Sequence, residues 1–199
     1  MAKVVVINHV TLDGVMQAPA RPDEDTRDGF AHGGWGIRGN DPLMTAKIGE
    51  RMSGERAFLF GRRTYEDFYA VWPQRTDSPF SEALTNTPKY VASRTLTEPL
   101  PWSNSILLAG DAAYAVAALK VQQPGTLTIF GSGELIGALM AADLIDEYLL
   151  MIHPVVLGSG RRLFAAGRQA RLRLTDAVTT ATGVVIAVYE PLVGGTTGP

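Results

Sequence analysis

Residues 126–140 read TLTIFGSGELIGALM, and three local patterns meet in them. Thr126–Phe130 is a short apolar run rich in β-branched and aromatic residues, which marks a strand. Gly131-Ser132-Gly133 follows at once and permits a tight turn. Leu135, Ile136, Leu139 and Met140 then recur at helical spacing. A helix that begins on such a turn points unpaired N–H groups and partial positive charge at whatever lies above the sheet, and a pyrophosphate suits it. The turn is not the full G-x-G-x-x-G fingerprint, because the third position is Ile136 and Gly137 comes one residue late.

The same unit recurs upstream. Ala57–Phe60 reads as a buried strand that stops at Gly61, and a helix is expected from Thr64 to Tyr69, with Thr64 and Asp67 spaced like a capping box. Arg62 and Arg63 stand between strand and helix. Guanidinium forks match phosphate oxygens bidentately, which favours a phosphate monoester such as NADPH carries and NADH lacks. The other reading is a tight strand-to-helix turn with two solvated arginines. Ser93-Arg94, at the end of a strand over Lys89–Ser93, adds a hydroxyl and a third guanidinium, or is an ordinary exposed loop pair.

Outward from these units, Lys3–Val10 is a near-continuous apolar run, as in a strand buried on both faces. Ala18 to Asn40 is rich in Gly, Pro and Asp and reads as a long irregular loop with Trp35 set among glycines. Asp41-Pro42 reads as a helix start running to about Ser53-Gly54, and Trp72 to Pro79 as a surface loop. Ser105–Ala109 is a strand, Asp111 caps an alanine-rich helix ending before Pro124-Gly125, and Asp146–Leu157 is a further strand. Arg171–Val178 and Val184–Tyr189 form an antiparallel hairpin around Thr182-Gly183. Strands alternating with helices predict an α/β fold with a mostly parallel sheet and a C-terminal antiparallel hairpin. Ligands of such sheets sit at the carboxyl ends of strands, where Gly61, Ser93 and Gly131 all fall.

Bulk properties narrow the function. The chain has 199 residues, 46 % hydrophobic and 19 % charged, ordinary for one domain, expected over 1–192 with a flexible tail at 193–199. It contains no cysteine, which removes disulfides, thiolate catalysis and Cys-ligated zinc and fits a reducing cytoplasm. With a net charge of −2 and no basic block, nucleic acid is not an expected partner. No run reaches the length of a membrane span, and no acid or histidine cluster has metal-ligand spacing, so no metal is expected. A small-molecule substrate is.

Taken in order, Thr11-Leu12-Asp13-Gly14, GRRTYE at 61–66, Tyr90-Val91-Ala92-Ser93-Arg94, IFGSGELIGAL at 129–139 and Asp146-Glu147-Tyr148 leading to Pro154–Gly160 resemble the dihydrofolate reductase superfamily. The resemblance is greatest to the reductase domain of riboflavin-biosynthesis enzymes and its stand-alone bacterial relatives, and it runs from Lys3 to about Tyr189. It implies an NADPH-dependent reductase that transfers hydride to a heterocyclic or ribosylamine substrate. Gly61, Arg62 and Thr64 would meet cofactor phosphates, Ser93 and Arg94 the adenosine 2′-phosphate, and Gly131, Ser132, Gly133, Glu134 and Leu135 the pyrophosphate. Asp13, Gly14 and Trp35 would cover nicotinamide and substrate, and the proton would come from solvent, Asp13 or Asp41.

Two positions depart from the resemblance. Where dihydrofolate reductases place a carboxylate inside the first helix, this chain has Pro42, Leu43 and Met44, with Asp41 a candidate N-cap. Where riboflavin-pathway reductases carry a glutamate before the paired glycines, it has Phe130. Pterin reduction and a non-catalytic NADPH or flavin sensor are therefore alternatives, as is a structural dimer module. His9 and His153, each in or beside an apolar strand, read as packed and hydrogen-bonded, and Arg161-Arg162 as an exposed basic turn. A homodimer through the edge hairpin is expected, because an apolar strand edge invites pairing.

Overall fold

The computed structural model describes residues 1–76, 78–164 and 169–192. The expected tail at 193–199 lies outside them, as does Asp77 of the expected surface loop. The strands are β1 (Lys3–Thr11), β2 (Arg56–Gly61), β3 (Lys89–Ser93), β4 (Ser105–Ala109), β5 (Thr126–Phe130), β6 (Glu147–His153), β7 (Leu172–Thr179) and β8 (Val185–Pro191). The helices are α1 (Pro42–Arg51), α2 (Arg62–Val71), α3 (Pro79–Asn86), α4 (Ala112–Gln122) and α5 (Gly133–Ala141). The eight strands form a sheet in the order β4-β3-β2-β5-β1-β6-β8-β7. The pairs β2/β3, β2/β5 and β3/β4 are parallel, and β6/β8 and β7/β8 antiparallel.

The chain forms two compact units, one of Met1–Val5 with Met52–Leu144, the other of Val6–Arg51 with Ile145–Pro199. The first holds the parallel strands. Phe58, Leu59, Leu127 and Ile129 are fully buried, as strands covered on both faces require. Lys89 is equally buried, and its Nζ donates to the carbonyls of Leu84, Thr85 and Thr87 at 2.7, 3.2 and 2.9 Å. A cation there satisfies the last carbonyls of α3, with the Trp102 ring 4.8 Å away. Burial pushes its ammonium down to about 8.

In the second unit the loop after β1 contains short 3-10 turns at Arg27–Gly29 and Ile37–Gly39 and an isolated antiparallel bridge from Val15 to Arg162. It is nevertheless packed around its own apolar cluster of Val15, Ala18 and Phe30, with Trp35 and Leu157 against it. Trp35, set among glycines, is anchored by its indole N–H on Gln17 O at 2.7 Å.

Several boundaries differ from the sequence reading, for local reasons. Helix α2 starts at Arg62 with Gly61 as its N-cap, so Thr64 lies in the first turn and does not cap it. Helix α3 was not expected; Ser78 caps it by accepting from Ser81 N, with Pro79 at the first helical position. Helix α1 ends at Arg51, short of Ser53-Gly54. Strand β6 ends at His153, because Pro154 has no N–H to give a ladder.

Candidate functional site

Within the first unit, three strand ends lie side by side. Gly61 is in register with Ala92, so Ser93 stands one residue beyond the end of β2. On the other side β5 pairs with β2 through Arg56↔Thr126, Ala57↔Leu127 and Phe58↔Thr128. The expected gathering of Gly61, Ser93 and Gly131 at one sheet end is thus met.

Two successive left-handed residues carry the chain from β5 into α5. Gly131 has φ 56 and Ser132 φ 56, ψ 42; for a residue with a Cβ this conformation costs about 1–2 kcal/mol. The strain is held by cross-bonds. Ser132 N donates to Thr64 Oγ1 at 2.9 Å, and Gly61 N donates to Ser132 Oγ at 3.0 Å. A Cβ on Gly131 would come 3.1 Å from both Cγ2 and Oγ1 of Thr64. The two glycine turns are therefore interlocked, and Thr64 and Ser132 set the spacing between the helix starts.

Those starts differ from the other two in the unit. Ser78 caps α3, and Asp111 caps α4 by accepting from Tyr114 N at 2.9 Å. Neither Gly61 on α2 nor Ser132 on α5 supplies a side-chain cap. Helix starts without a side-chain cap are the kind that suits an outside anion. Around them Arg62 pairs with Glu66 at 3.3 Å and Arg63 with Glu134 at 3.2 Å, all partly or fully exposed, and exposed pairs of this kind exchange partners at little cost. Ser93 Oγ accepts from Thr95 N and Leu96 N at 3.1 and 3.0 Å, which shapes the loop bearing exposed Arg94. Leu135 is buried behind the turn. Phe130 joins an aromatic cluster with Phe58, Phe68 and Phe80.

In the second unit, the Asp13 carboxylate is fully engaged. It accepts from Thr11 Oγ1 at 2.6 Å, Gly158 N at 2.9 Å and Leu157 N at 3.2 Å, with Arg162 at 3.9 Å. The Thr11 hydroxyl and these backbone donors hold it at about 2, well below the usual carboxylate range. Gly14 makes the adjoining turn at φ 84. Asp41 caps α1 through Leu43 N at 2.8 Å and also accepts from Ala181 N at 3.0 Å. Arg161 pairs with Asp28 at 2.9 Å.

His9 and His153, read separately in the sequence, bond to each other: His9 Nδ1 and His153 Nε2 are 2.8 Å apart. Trp35 meets His153 edge to face at 5.2 Å. The shared signal was an apolar strand whose histidine leads into a turn, HVTLDG in one case and HPVVLG in the other. Among the described residues no acidic or histidine cluster could hold a metal, and no helix is long and apolar enough to cross a membrane.

Comparison with known proteins identifies the fold and the family. The protein YyaP of Bacillus subtilis (strain 168), itself uncharacterized, is 29 % identical over 176 residues, spanning 83 % of this chain and 90 % of the relative. A Shewanella sp. PV-4 protein assigned to riboflavin biosynthesis superposes with a TM-score of 0.68 at 19 % identity, covering 96 % of this chain and 99 % of that one. Dihydrofolate reductase from Enterococcus faecalis, solved with NADP(H), superposes with a TM-score of 0.62 at 11 % identity over 95 % of this chain and 96 % of that one. At these identities the structural likenesses establish the fold, which is that of dihydrofolate reductase. The RibD C-terminal domain family matches residues 2–186, and the chain belongs to that family of reductase domains.

Proposed function

We propose that the chain is an NADPH-dependent reductase of the riboflavin-biosynthesis reductase type. Its substrate class is a heterocycle or ribosylamine with a C=N or C=O bond, such as 5-amino-6-(5-phosphoribosylamino)uracil. The observation that carries this reading is the pair of uncapped helix starts at Gly61 and Ser132, locked together through Thr64 in a RibD C-terminal domain chain.

The donor set fits a phosphorylated dinucleotide. First-turn N–H groups of α5 suit a pyrophosphate, and those of α2 a second phosphate. Arg62 and Arg94 add the forked donors that a 2′-phosphate requires; Arg62 would exchange its exposed Glu66 partner for it. When bound, NADPH supplies the hydride, and the protein contributes orientation and exclusion of water. Asp13 remains ionised at neutral pH and ties the loop after β1 to Leu157-Gly158, so in this reading it positions the loop. Asp41 does the same for Ala181 and α1. The proton then comes from water.

A homodimer is part of the reading. Strand β7 is an edge strand, and its Leu174 is 53 % exposed, an arrangement that invites pairing with a second copy. Leu174→Lys should shift the size-exclusion elution toward the monomer.

Thermal-shift titration tests the cofactor. A ligand bound by the folded state at one hundred times its Kd adds about 2.7 kcal/mol, which for a chain of this size raises Tm by about 5–11 °C. NADPH should reach that shift at lower concentration than NADH. Equal or absent shifts would sink the phosphate reading. If NADPH binds and no pyrimidine, pterin or flavin substrate is reduced, a non-catalytic nucleotide sensor is the better account.

A further inference from the structure

A cleft of about 390 Å³ lies at the amino end of β2, between the stretches of chain that lead into β3 and β5. Arg56, Asn86, Thr87 and Gln123 line it, and every lining residue belongs to the first compact unit. Backbone bonds fix its walls. Phe58 N donates to the Pro88 carbonyl at 2.8 Å, and Thr126 N to the Glu55 carbonyl at 3.1 Å. Gly125 lies so close to Glu55 that an added Cβ would overlap the Glu55 carbonyl. The volume falls within the span of small-molecule sites, roughly 300–1,000 Å³. Arg56 and Gly61 are the first and last residues of β2, about 16 Å apart along an extended strand. The cleft is therefore separate from the paired helix starts.

Donors are idle there. Arg56 is half-buried, its Nε is buried without a hydrogen-bond partner, and its guanidinium holds only the Gly54 carbonyl, through Nη1 at 3.1 Å. Among the described residues no acid pairs with Arg56, and the side chains of Asn86, Thr87 and Gln123 make no hydrogen bond. Lys89 offers the contrast of a cation with a structural role, because its ammonium is shared among three carbonyls. Arg56 has instead given up water at Nε without a substitute, which is costly for a charged donor. A guanidinium fork in that condition matches the two oxygens of a carboxylate.

We propose that this cleft binds a small monoanionic carboxylate, held by the Arg56 guanidinium, with hydroxyl or amide groups of the ligand on Asn86, Thr87 and Gln123. One guanidinium balances one negative charge. Glu55, the other charged residue of the lining, is exposed and opposes a second negative charge, so a phosphate dianion suits the cleft less well. On binding, the guanidinium turns from Gly54 toward the carboxylate, and its buried donor gains a partner. The ligand sits at the far end of β2 from Gly61, so it requires no nucleotide and does not compete with one.

Backbone 1H–15N spectra of the full chain, titrated with lactate, gluconate and N-acetylglycine, test the site. At least one carboxylate should shift the amides of Arg56, Ala57, Thr87 and Gln123, and neutral sorbitol should not. Equal shifts with sorbitol, or none with any carboxylate, overturn the site, and a response to inorganic phosphate alone overturns the carboxylate assignment. Arg56→Met keeps the aliphatic stem and should weaken the responding carboxylate about 10-fold or more, the loss of a charge-assisted contact. Because the guanidinium makes one hydrogen bond in the free chain, this variant should keep Tm within about 2 °C. A retained response with a lowered Tm marks a structural arginine and overturns the proposal. Asn86→Ala and Gln123→Ala lie outside the strands, and at least one should weaken binding about 2–10-fold, the span of a neutral hydrogen bond; unchanged affinity in both overturns the site. Saturating NADPH should leave the carboxylate Kd within about twofold, whereas mutual exclusion would put the ligand in the nucleotide site and overturn its separateness.

Discussion

Gly131→Ala puts the interlocked turns under direct test. At φ 56 an added Cβ meets the left-handed penalty of about 1–2 kcal/mol. It also comes 3.1 Å from Cγ2 and Oγ1 of Thr64, tighter than ordinary contact. Thr64 cannot swing away freely, because its Oγ1 holds Ser132 N at 2.9 Å, so overpacking adds about 1–3 kcal/mol. Loss of unfolded-state freedom returns about 0.4–1 kcal/mol. The net cost is about 2–4 kcal/mol, a fall in Tm of about 4–16 °C at 2–4 °C per kcal/mol. Gly110→Ala is the matched control: φ is 86 and nothing lies within 4 Å of the added Cβ, so the backbone penalty less the same unfolded-state return applies, about 0–1.6 kcal/mol or at most about 6 °C. Differential scanning calorimetry of both variants separates the two contributions. In the Gly131→Ala background, Thr64→Ser removes the methyl and should recover part of the difference. Equal losses for the two alanine variants would refute the close approach of the turns, and with it the spacing argument for the paired helix starts.

Further outcomes follow from single groups. Arg62→Ala and Arg94→Ala should each weaken NADPH binding by about 1.5–3 kcal/mol in calorimetric titration, the range for a charge-assisted contact, and leave NADH nearly unchanged; equal losses for both nucleotides would mean that the arginines act through folding. Asp13, held at about 2 by Thr11 and the Gly158 and Leu157 amides, binds its proton less readily folded than unfolded. Its contribution is complete above the ordinary carboxylate range near pH 4 and disappears as pH falls through about 2. In melting curves from pH 2 to 6, the advantage of the wild type over Asp13→Asn should shrink along that limb, and a constant difference would contradict the assignment. Lys89→Met leaves three carbonyls around α3 without their donor, and urea unfolding should show a loss of about 2–4 kcal/mol; a loss under about 1 kcal/mol would show that solvent replaces the ammonium.

The parts of the fold legible in the sequence are those governed by short-range pattern. The units at 58–65 and 126–140 each pair a β-rich run with glycine and a helical period, and both occur where expected, as does the hairpin that became β7 and β8. Helix α3 was missed although Ser78-Pro79 is a start signal, because aromatic and proline residues around it read as loop. The start of α2 at Arg62 was hidden by a competing cap signal at Thr64, whose hydroxyl is engaged by Ser132, 68 positions away. His9 and His153 are 144 positions apart, and no local rule pairs two strand histidines. What sequence reading lacked was partnership across the chain: it located Gly61, Thr64 and Ser132 as candidates without showing that they bond to one another.

The most direct test is a crystal structure of the chain grown with saturating NADPH. The account predicts pyrophosphate density on the backbone amides that open α5, at Gly133 to Leu135, and the 2′-phosphate beside Arg62 and Arg94. Dinucleotide density away from both helix starts, or none under conditions that saturate a homologous reductase, would contradict it.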